Sequence, residues 1–389
     1  MVIRASSANP HVLRWARIRA GLTIEAAAEA IGRDADALEA WESGTQSPTY
    51  RQLSDLAQRV YKRPIAVFFF PAPPHEESIV SEFRTLPEAE REQLEPDTLF
   101  ALREARAWQL SAANILQGAD ESFRGTVDDI RARPRETPVA LARRIRELLG
   151  VTLPQQLQWR NPDDALKVWR SAVEQFGVLV FKRPFRQESV SGFCLDDPAH
   201  PVVVLNNSTS HTRQIFTLLH EIGHLAFGVS GVTTRDEEDL GSLAPVDRRI
   251  EIACNQFAAN ALLPPGSVNL EEIVSDDLEV AVTQTARAFQ VSREVVLRRL
   301  LDAGRIESGE YTELVQKWRD DYLRAEARAG GGSYYANVGT YLSDKYARAV
   351  LFQYHSGRLG VGEAAEHLRM KARNIERFEA FLLSRGASE

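Results

Sequence analysis

The chain has 389 residues, of which 44% are hydrophobic and 26% are charged, and its formal net charge at pH 7 is −7. This length predicts two or three domains, and the composition is ordinary for a globular protein with buried cores. The negative charge excludes a generic binder of polyanions, so any contact with nucleic acid must come from a local patch. No segment approaches the roughly 18 consecutive apolar residues of a membrane span, which predicts no membrane association.

Two features of the sequence indicate the cellular compartment. Cys194 and Cys254 are the only cysteines, too few for a disulfide framework, and they fit a reducing environment. The N-terminal stretch MVIRASSANPHVLRW lacks the apolar core of a signal peptide. We therefore expect a cytoplasmic protein.

Residues 1–75 are predicted to form an all-α helix-turn-helix domain. Glycines separate short amphipathic helices, and Thr23 is a candidate N-cap for the second of them. The segment TIEAAAEAIG and the later run WESG, followed by SPT, resemble the Xre-type helix-turn-helix family over about 60 residues. The resemblance implies a double-stranded DNA operator as a partner.

The candidate DNA contacts in this domain come from the third helix and from the segment behind it. The third helix is predicted from about Ala35 to Ser43, and the stretch at its start, Arg33-Asp34-Ala35-Asp36-Ala37, has two aspartates that are unfavourable opposite phosphates. Basic side chains around the rim, Arg17 and Arg63 among them, are candidates for backbone contacts. The residues that we assign to DNA binding are Arg33, Thr45, Gln46, Ser47, Thr49 and Arg51. The acidic helix leaves a second interpretation open, in which the domain serves for homodimerisation or for docking a protein partner.

The rest of the chain is predicted to form an α+β fold that is mostly helical. Residues 76–138 are interpreted as a helical linker that contains one long helix. Residues 139–305 are interpreted as a domain in which helices precede three short strands, and two further helices follow. Residues 306–389 are interpreted as a helical extension for a partner or for oligomerisation, and we find no internal repeat.

The segment His-Glu-Ile-Gly-His at 220–224 carries the chemistry. On a helix, residues four apart share a face, so His220 and His224 can direct their imidazoles at one metal ion. Glu221 lies one residue along, where it can reach a water and act as its base. The surrounding pattern is apolar and helical, and burying two histidines and a glutamate without a partner would be costly. The motif therefore predicts a zinc site.

A third protein ligand completes the usual catalytic zinc set. Glu251 opens the helical segment EIACNQFAANALLP, whose apolar face can pack on the motif helix. Its alternative role is that of a first-turn acid favoured by the helix dipole. The loop acids Glu237, Glu238 and Asp239 lie nearer in sequence and are the less favoured choice.

The segments RQIFTLLHEIGH (213–224) and EIACNQFAANALLP (251–264), with SGFCL and PVVVLN upstream, are similar to the ImmA/IrrE-type metallopeptidase family. The resemblance implies a zincin-like domain with His220, His224 and Glu251 as zinc ligands and Glu221 as general acid and base. Many members of that family also carry an Xre-type domain and belong to prophage, stress-response, defence or toxin–antitoxin loci. The partner implied is a protein substrate, a repressor or a cognate toxin.

Two further features each leave two interpretations open. A thiolate of Cys194 could occupy a fourth zinc position and hold the enzyme latent, whereas its alternative is a small buried apolar side chain. The run Val202-Val203-Val204 is either an edge strand that pairs with a substrate peptide or an interior strand.

Two functions remain open from the sequence. The first is a zinc endopeptidase of gated activity that acts on a protein regulator. The second is a DNA-binding regulator or antitoxin, whose zincin-like domain binds a partner or a signal without turnover. The intact motif and Glu251 favour the first function, and the helix-turn-helix domain favours the second.

Overall fold

The computed structural model describes residues 5, 7–75, 94–118, 125–185, 187, 189–234, 243–274, 277–326 and 341–386. These residues divide into two compact units, one with the described residues up to 104 and one with those from 105 onwards. The predicted fold class, α+β and mostly helical, is confirmed. Among the described residues, no helix combines the length and the apolar content that a membrane crossing requires.

The first unit contains the predicted helix-turn-helix. Thr23 caps the second helix by accepting a hydrogen bond from the backbone N–H of Ala26, and Thr49 caps the fourth helix. Buried apolar side chains from all four helices form one core, centred on Leu13, Leu38 and Trp41. The helices are α1 (Pro10–Arg19), α2 (Ile24–Glu29), α3 (Ala35–Glu42) and α4 (Tyr50–Asp55), followed by a π-helical turn at Leu56–Val60 and a 3-10 turn at Ile65–Phe69.

Two basic residues of this unit are part of its internal packing. The guanidinium of Arg17 donates to both carboxylate oxygens of Glu42, at 2.8 and 2.9 Å, and so ties α1 to α3. The guanidinium of Arg63 lies 4.2 Å from the centre of the Trp15 ring. Arg17 is thus held within the fold by Glu42, and its predicted contact with a DNA backbone stays a prediction. Arg63 is likewise held by a partner within the fold.

The linker and the first helices of the second unit lie close to their predicted positions. Helix α5 spans Pro96–Ile115. After residues 119–124, which lie outside the described part, come α6 (Val127–Ile130), α7 (Pro138–Leu149), α8 (Leu153–Gln156) and α9 (Pro162–Glu174). The first residue of α7 and the first residue of α9 are both prolines, a position where the missing N–H costs nothing.

A mixed sheet of four strands lies at the centre of the second unit, in the order β1-β3-β2-β4. The pairing of β1 with β3 is parallel, and the pairings of β2 with β3 and with β4 are antiparallel. The run at 202–204 is therefore an interior strand, which excludes the edge-strand interpretation. The fourth strand was not predicted from the sequence. The strands are β1 (Leu179–Arg183), β2 (Val190–Leu195), β3 (Val202–Asn206) and β4 (Gly231–Thr234).

Of two long helices that pack on each other, the first lies on this sheet and the second packs on α7. They are α10 (His211–Ala226) and α11 (Pro245–Leu262), and their buried residues belong to one core with α7, α9 and the strands. Four helices follow: α12 (Leu270–Ile273), α13 (Leu278–Phe289), α14 (Arg293–Asp302) and α15 (Ser308–Glu326).

The C-terminal helices pack against α5 and β1 within the second unit. Phe181 of β1 stacks on Trp108 at 4.0 Å between ring centres and meets Tyr346 edge-on at 5.5 Å. The amide of Gln353 donates to the carbonyls of Ile115 and Gln117 beyond the end of α5. The elements are α16 (Asp344–His355), α17 (Val361–His367), a 3-10 turn at Ala372–Asn374 and α18 (Ile375–Gly386).

Candidate metal centre

Helix α10 carries the His-Glu-Ile-Gly-His motif and is buried along nearly its whole length. The hydroxyl of Ser210 caps its first turn by accepting from the N–H of Arg213. The helix lies directly on β2, where a Cβ added at Gly192 would be 2.5 Å from a methyl carbon of Thr217. Because the helix and the strand approach so closely, the motif residues are buried in the core, where water is excluded.

Helix α11 approaches the motif helix closely at a second glycine. A Cβ added at Gly223 would be 3.1–3.2 Å from the Cα, Cβ and Sγ atoms of Cys254. Since Gly223 is one of the two variable positions inside the motif, the absence of a side chain there lets the helices touch. The close contact brings Glu251, one turn before Cys254, up to the two histidines.

The three predicted ligands converge on one point. The Nε2 atoms of His220 and His224 are 3.0 Å apart, and each lies 3.2 Å from an oxygen of Glu251. All three residues are buried, and their donor atoms lie within 4.8 Å of one another. Tetrahedral ligands about 2 Å from zinc would be about 3.3 Å apart. The spacing and the chemistry of this donor set therefore fit zinc.

The electrostatics of this group favour an anionic carboxylate. Burial by itself raises the pKa of the Glu251 carboxyl, but the charges and hydrogen bonds of His224 and His220 hold the pKa well below its usual range. Burial also opposes a charge on His224, and Cys254 and Glu251 outweigh it and raise the pKa of that imidazole. One anionic oxygen and two imidazole nitrogens are the donors that zinc prefers over magnesium or calcium.

Asn255 orients the first histidine and was missed by the sequence analysis. Its side-chain oxygen accepts from Nδ1 of His220 at 2.9 Å, which leaves the lone pair of Nε2 directed at His224 and Glu251. Asn255 is four residues after Glu251 and so shares its helix face. That spacing is the pattern by which the sequence could have indicated it.

We expect Asn255→Leu to weaken zinc binding by about 10–100-fold, because the imidazole of His220 loses the acceptor that sets its tautomer. Asn255→Asp keeps an oxygen in place and is the matched control, with a smaller loss. Competition with a chromophoric chelator measures both affinities. Wild-type affinity in the leucine variant would show that Asn255 does not position His220.

Gly231, at the start of β4, makes room for the second histidine. A Cβ at this position would lie 2.5 Å from Cγ and Cδ2 of His224 and 2.7 Å from its Nε2. Any side chain here would displace the imidazole ring. No pattern in the sequence marks this glycine, because its contact with the ring depends on how β4 returns along β2.

Cys194 lies beside the predicted base and outside the group of three ligands. It is fully buried in β2, and its thiol donates weakly to the carbonyl of Val229 at 3.8 Å. Burial, and next the carboxylate of Glu221, raise the pKa of the Cys194 thiol well above its ordinary value. This placement agrees with the interpretation as a buried apolar side chain, and the role as a latent fourth ligand stays a prediction.

Among the described residues, His211 is the other histidine of α10, and it lies outside the group of three ligands. Glu237, Glu238 and Asp239 lie outside the described residues. His211 opens α10 at the end away from the motif, and its side chain pairs with Asp163 at 3.8 Å. Burial lowers the pKa of His211, and its ring is half exposed to solvent.

The predicted DNA contacts lie on the surface of the first unit, and their role stays a prediction. Arg33, Gln46 and Arg51 are exposed. The hydroxyl of Thr45 is already used, because it donates to the carbonyl of Ala40 at 3.1 Å. Two further residues, Ser47 and Thr49, are half-buried, and the hydroxyl oxygen of Thr49 is engaged in capping α4.

Comparison with known proteins supports both predicted domains. The family described as the IrrE N-terminal-like domain, of the peptidase M78 type, matches residues 173–301, which include every residue of the ligand group. The predicted resemblance to the ImmA/IrrE type is confirmed. A helix-turn-helix domain family matches residues 11–62, over α1 to α4.

The chain is also similar to one curated protein of named activity. The radiation response metalloprotease IrrE of Deinococcus radiodurans is 30% identical over 112 residues. The match covers 27% of this chain and 32% of that protein, so the chain spans about a third of the relative's length. These comparisons support a metallopeptidase domain joined to a helix-turn-helix domain.

Proposed function

We propose that residues 173–301 act as a zinc-dependent endopeptidase with Glu221 as the general acid and base. One observation carries the proposal: the imidazoles of His220 and His224 and the carboxylate of Glu251 converge within 3.2 Å in a buried site. A surface pair of histidines with a solvated glutamate would not adopt this arrangement. The similarity to a metalloprotease supports the reaction class.

The division of roles among the residues follows from where each side chain lies. His220, His224 and Glu251 would hold zinc, and Asn255 would fix the tautomer of His220. When bound, zinc supplies a Lewis acid that polarises the scissile carbonyl and lowers the pKa of a water molecule. Glu221 is adjacent in the helix and takes the proton from the attacking water, then passes it to the leaving amine.

The burial of the site supports gated activity. As whole residues, His220, Glu221 and His224 are at most 1% exposed, and Glu251 is 7% exposed. A peptide carbonyl must come within contact distance of these groups, so neighbouring residues must move before cleavage. We propose that a protein partner or an inducing signal causes this movement.

The helix-turn-helix domain supports a regulatory substrate. We propose that the chain cleaves or controls a protein such as a repressor or a cognate toxin. We further propose that the chain forms a homodimer and that α1 to α4 bind this homodimer to a DNA operator. The relative's name mentions a radiation response. We propose by analogy that this chain acts in a stress or defence response. The assignment of the domain to the Xre type is part of the same proposal.

The second candidate function is a regulator that binds a partner without turnover. The burial of the ligand group favours it, because a site closed to peptides can still sense zinc or dock a protein. The two candidates differ in one respect, which is the hydrolysis of a peptide bond.

The test is cleavage of a random peptide library by the purified, zinc-loaded chain. We expect new N-termini by mass spectrometry, their loss after treatment with 1,10-phenanthroline and their return when zinc is added back. Cleavage that resists the chelator contradicts a zinc mechanism and indicates a contaminating protease. A chain that holds zinc and leaves both the library and its co-purifying partners intact supports the second candidate.

A further inference from the structure

The C-terminal region repeats the N-terminal helix-turn-helix, a relation that the sequence analysis missed. Residues 22–42 and 359–379 align without a gap, 337 positions apart, and seven of the 21 pairs are identical. This identity is too low to stand out in the sequence alone. The statement that the chain has no internal repeat is therefore wrong at the level of structure.

The backbone of the turn is the same in both copies. Gly32 and Arg369 occupy equivalent positions with positive φ values of 65° and 53°. After each of them, the next N–H binds the carbonyl five residues earlier: Arg33 to Ala28 at 2.9 Å, and Met370 to Ala365 at 3.0 Å. Arginine accepts a strained left-handed conformation here, which indicates that the packing on both sides dictates the turn.

The cores of the two copies also correspond. The equivalent pairs Ala27 and Ala364, Ala28 and Ala365, Leu38 and Ile375, and Trp41 and Phe378 are all buried. Helix α16 takes the part of α1, with Val350 equivalent to Leu13 and Gln353 equivalent to Ala16, all buried. Both copies also have a bond between their first and third helices: Glu42 binds Arg17, and the equivalent Glu379 binds His355 at 2.9 Å, one residue beyond the position equivalent to Arg17.

The same turn ends other helices of this chain, at Gly150 and Gly304 among them, so the turn alone does not make a recognition helix. Gln290 between α13 and α14 has a φ of 55°, and the N–H of Val291 binds the carbonyl of Ala286 at 3.0 Å. However, Val295 and Val296 bury the start of α14 in the peptidase core. By contrast, the helix after the turn in residues 359–379 begins at the surface.

The exposed starts of the two recognition helices have opposite charge. Asp34 and Asp36 of the N-terminal copy correspond to Lys371 and Arg373, and Ala40 corresponds to Arg377. Lys371, Arg373 and Arg377 are all exposed. Basic side chains at the start of a recognition helix match the phosphates and the guanine edges of a major groove.

We propose that residues 344–386 form a second helix-turn-helix unit that binds double-stranded DNA through α18 and the basic segment that leads into it, Lys371 and the 3-10 turn at Ala372–Asn374. Lys371 and Arg373 grip the phosphates that flank the groove, and the first turns of α18 face the base edges. The partner is a duplex because the exposed start of the helix can enter the major groove and its charge complements the phosphate backbone. The acidic N-terminal copy then contributes less to the affinity for DNA than this unit.

The test measures binding of the full chain to a fluorescent DNA duplex of random sequence by anisotropy, at salt concentrations between about 50 and 200 mM. We expect the double variant Lys371→Gln, Arg373→Gln to bind about tenfold more weakly. The slope of log K against log salt should fall by about two, since each phosphate contact contributes about 0.9. A variant with Lys371→Arg and Arg373→Lys keeps both charges and should bind like the wild type.

The matched control removes two exposed arginines outside the repeat, Arg143→Gln with Arg160→Gln, and should leave affinity and slope unchanged. Far-UV circular dichroism and thermal unfolding confirm that each variant is folded. A second double variant, Arg33→Gln with Arg51→Gln, tests the N-terminal copy separately. Three results would overturn the proposal: a wild-type chain that does not bind duplex, equal losses in the glutamine variant and the control, or displacement by polyglutamate as effective as by duplex.

Discussion

Glu221→Gln should lower the rate of peptide cleavage by about 10²–10⁴-fold while the zinc content stays at that of the wild type. The amide has the size of the carboxylate but cannot take a proton from the attacking water. Because Glu221 lies outside the group of His220, His224 and Glu251, its replacement leaves all three donors in place. The variant therefore separates the chemistry from metal binding.

Cleavage of one peptide identified in the library measures this loss, with elemental analysis of the same samples. The matched control is Glu147→Gln, which removes an exposed carboxylate on α7 and should leave the rate unchanged. If Glu221→Gln cleaves at the wild-type rate, another residue is the base or another protein does the cleaving. A cellular function that survives in Glu221→Gln would favour the regulator without turnover.

His224→Ala should lower the zinc affinity by more than about 100-fold and abolish zinc-dependent cleavage. Removing a direct ligand lowers the zinc affinity more than removing a residue that only orients a ligand. Elemental analysis should give about one zinc ion per chain for the wild type and little for the variant.

The control for this prediction comes from the same helix. His211→Ala removes the histidine at the opposite end of α10, whose ring pairs with Asp163, and should keep full zinc content. Equal zinc in the two variants would show that the metal binds elsewhere. No zinc in the wild type, even after reconstitution, would remove the catalytic proposal and leave a regulator built on a peptidase-like fold.

The sequence by itself determined the features that depend on local periodicity, which are the helix faces, the helix starts and the short strands. Residues four apart on an apolar helical segment share a face, so His220 and His224 were expected to point at one site before any fold was known. The capping residue Thr23 marked the start of the second helix. The three predicted strands followed from short apolar runs.

Only the tertiary structure decided what depends on contacts between distant segments. Glu251 reaches the histidines because Gly223 lets two helices touch, and Gly231 matters because β4 returns along β2 beside His224. The interior position of β3 depends on which strands pair, which the alternation within one strand does not encode. The C-terminal repeat was visible only in the backbone, because the packing of a helix-turn-helix tolerates Ile375 for Leu38 and Phe378 for Trp41, whereas its turn geometry and buried positions must be kept.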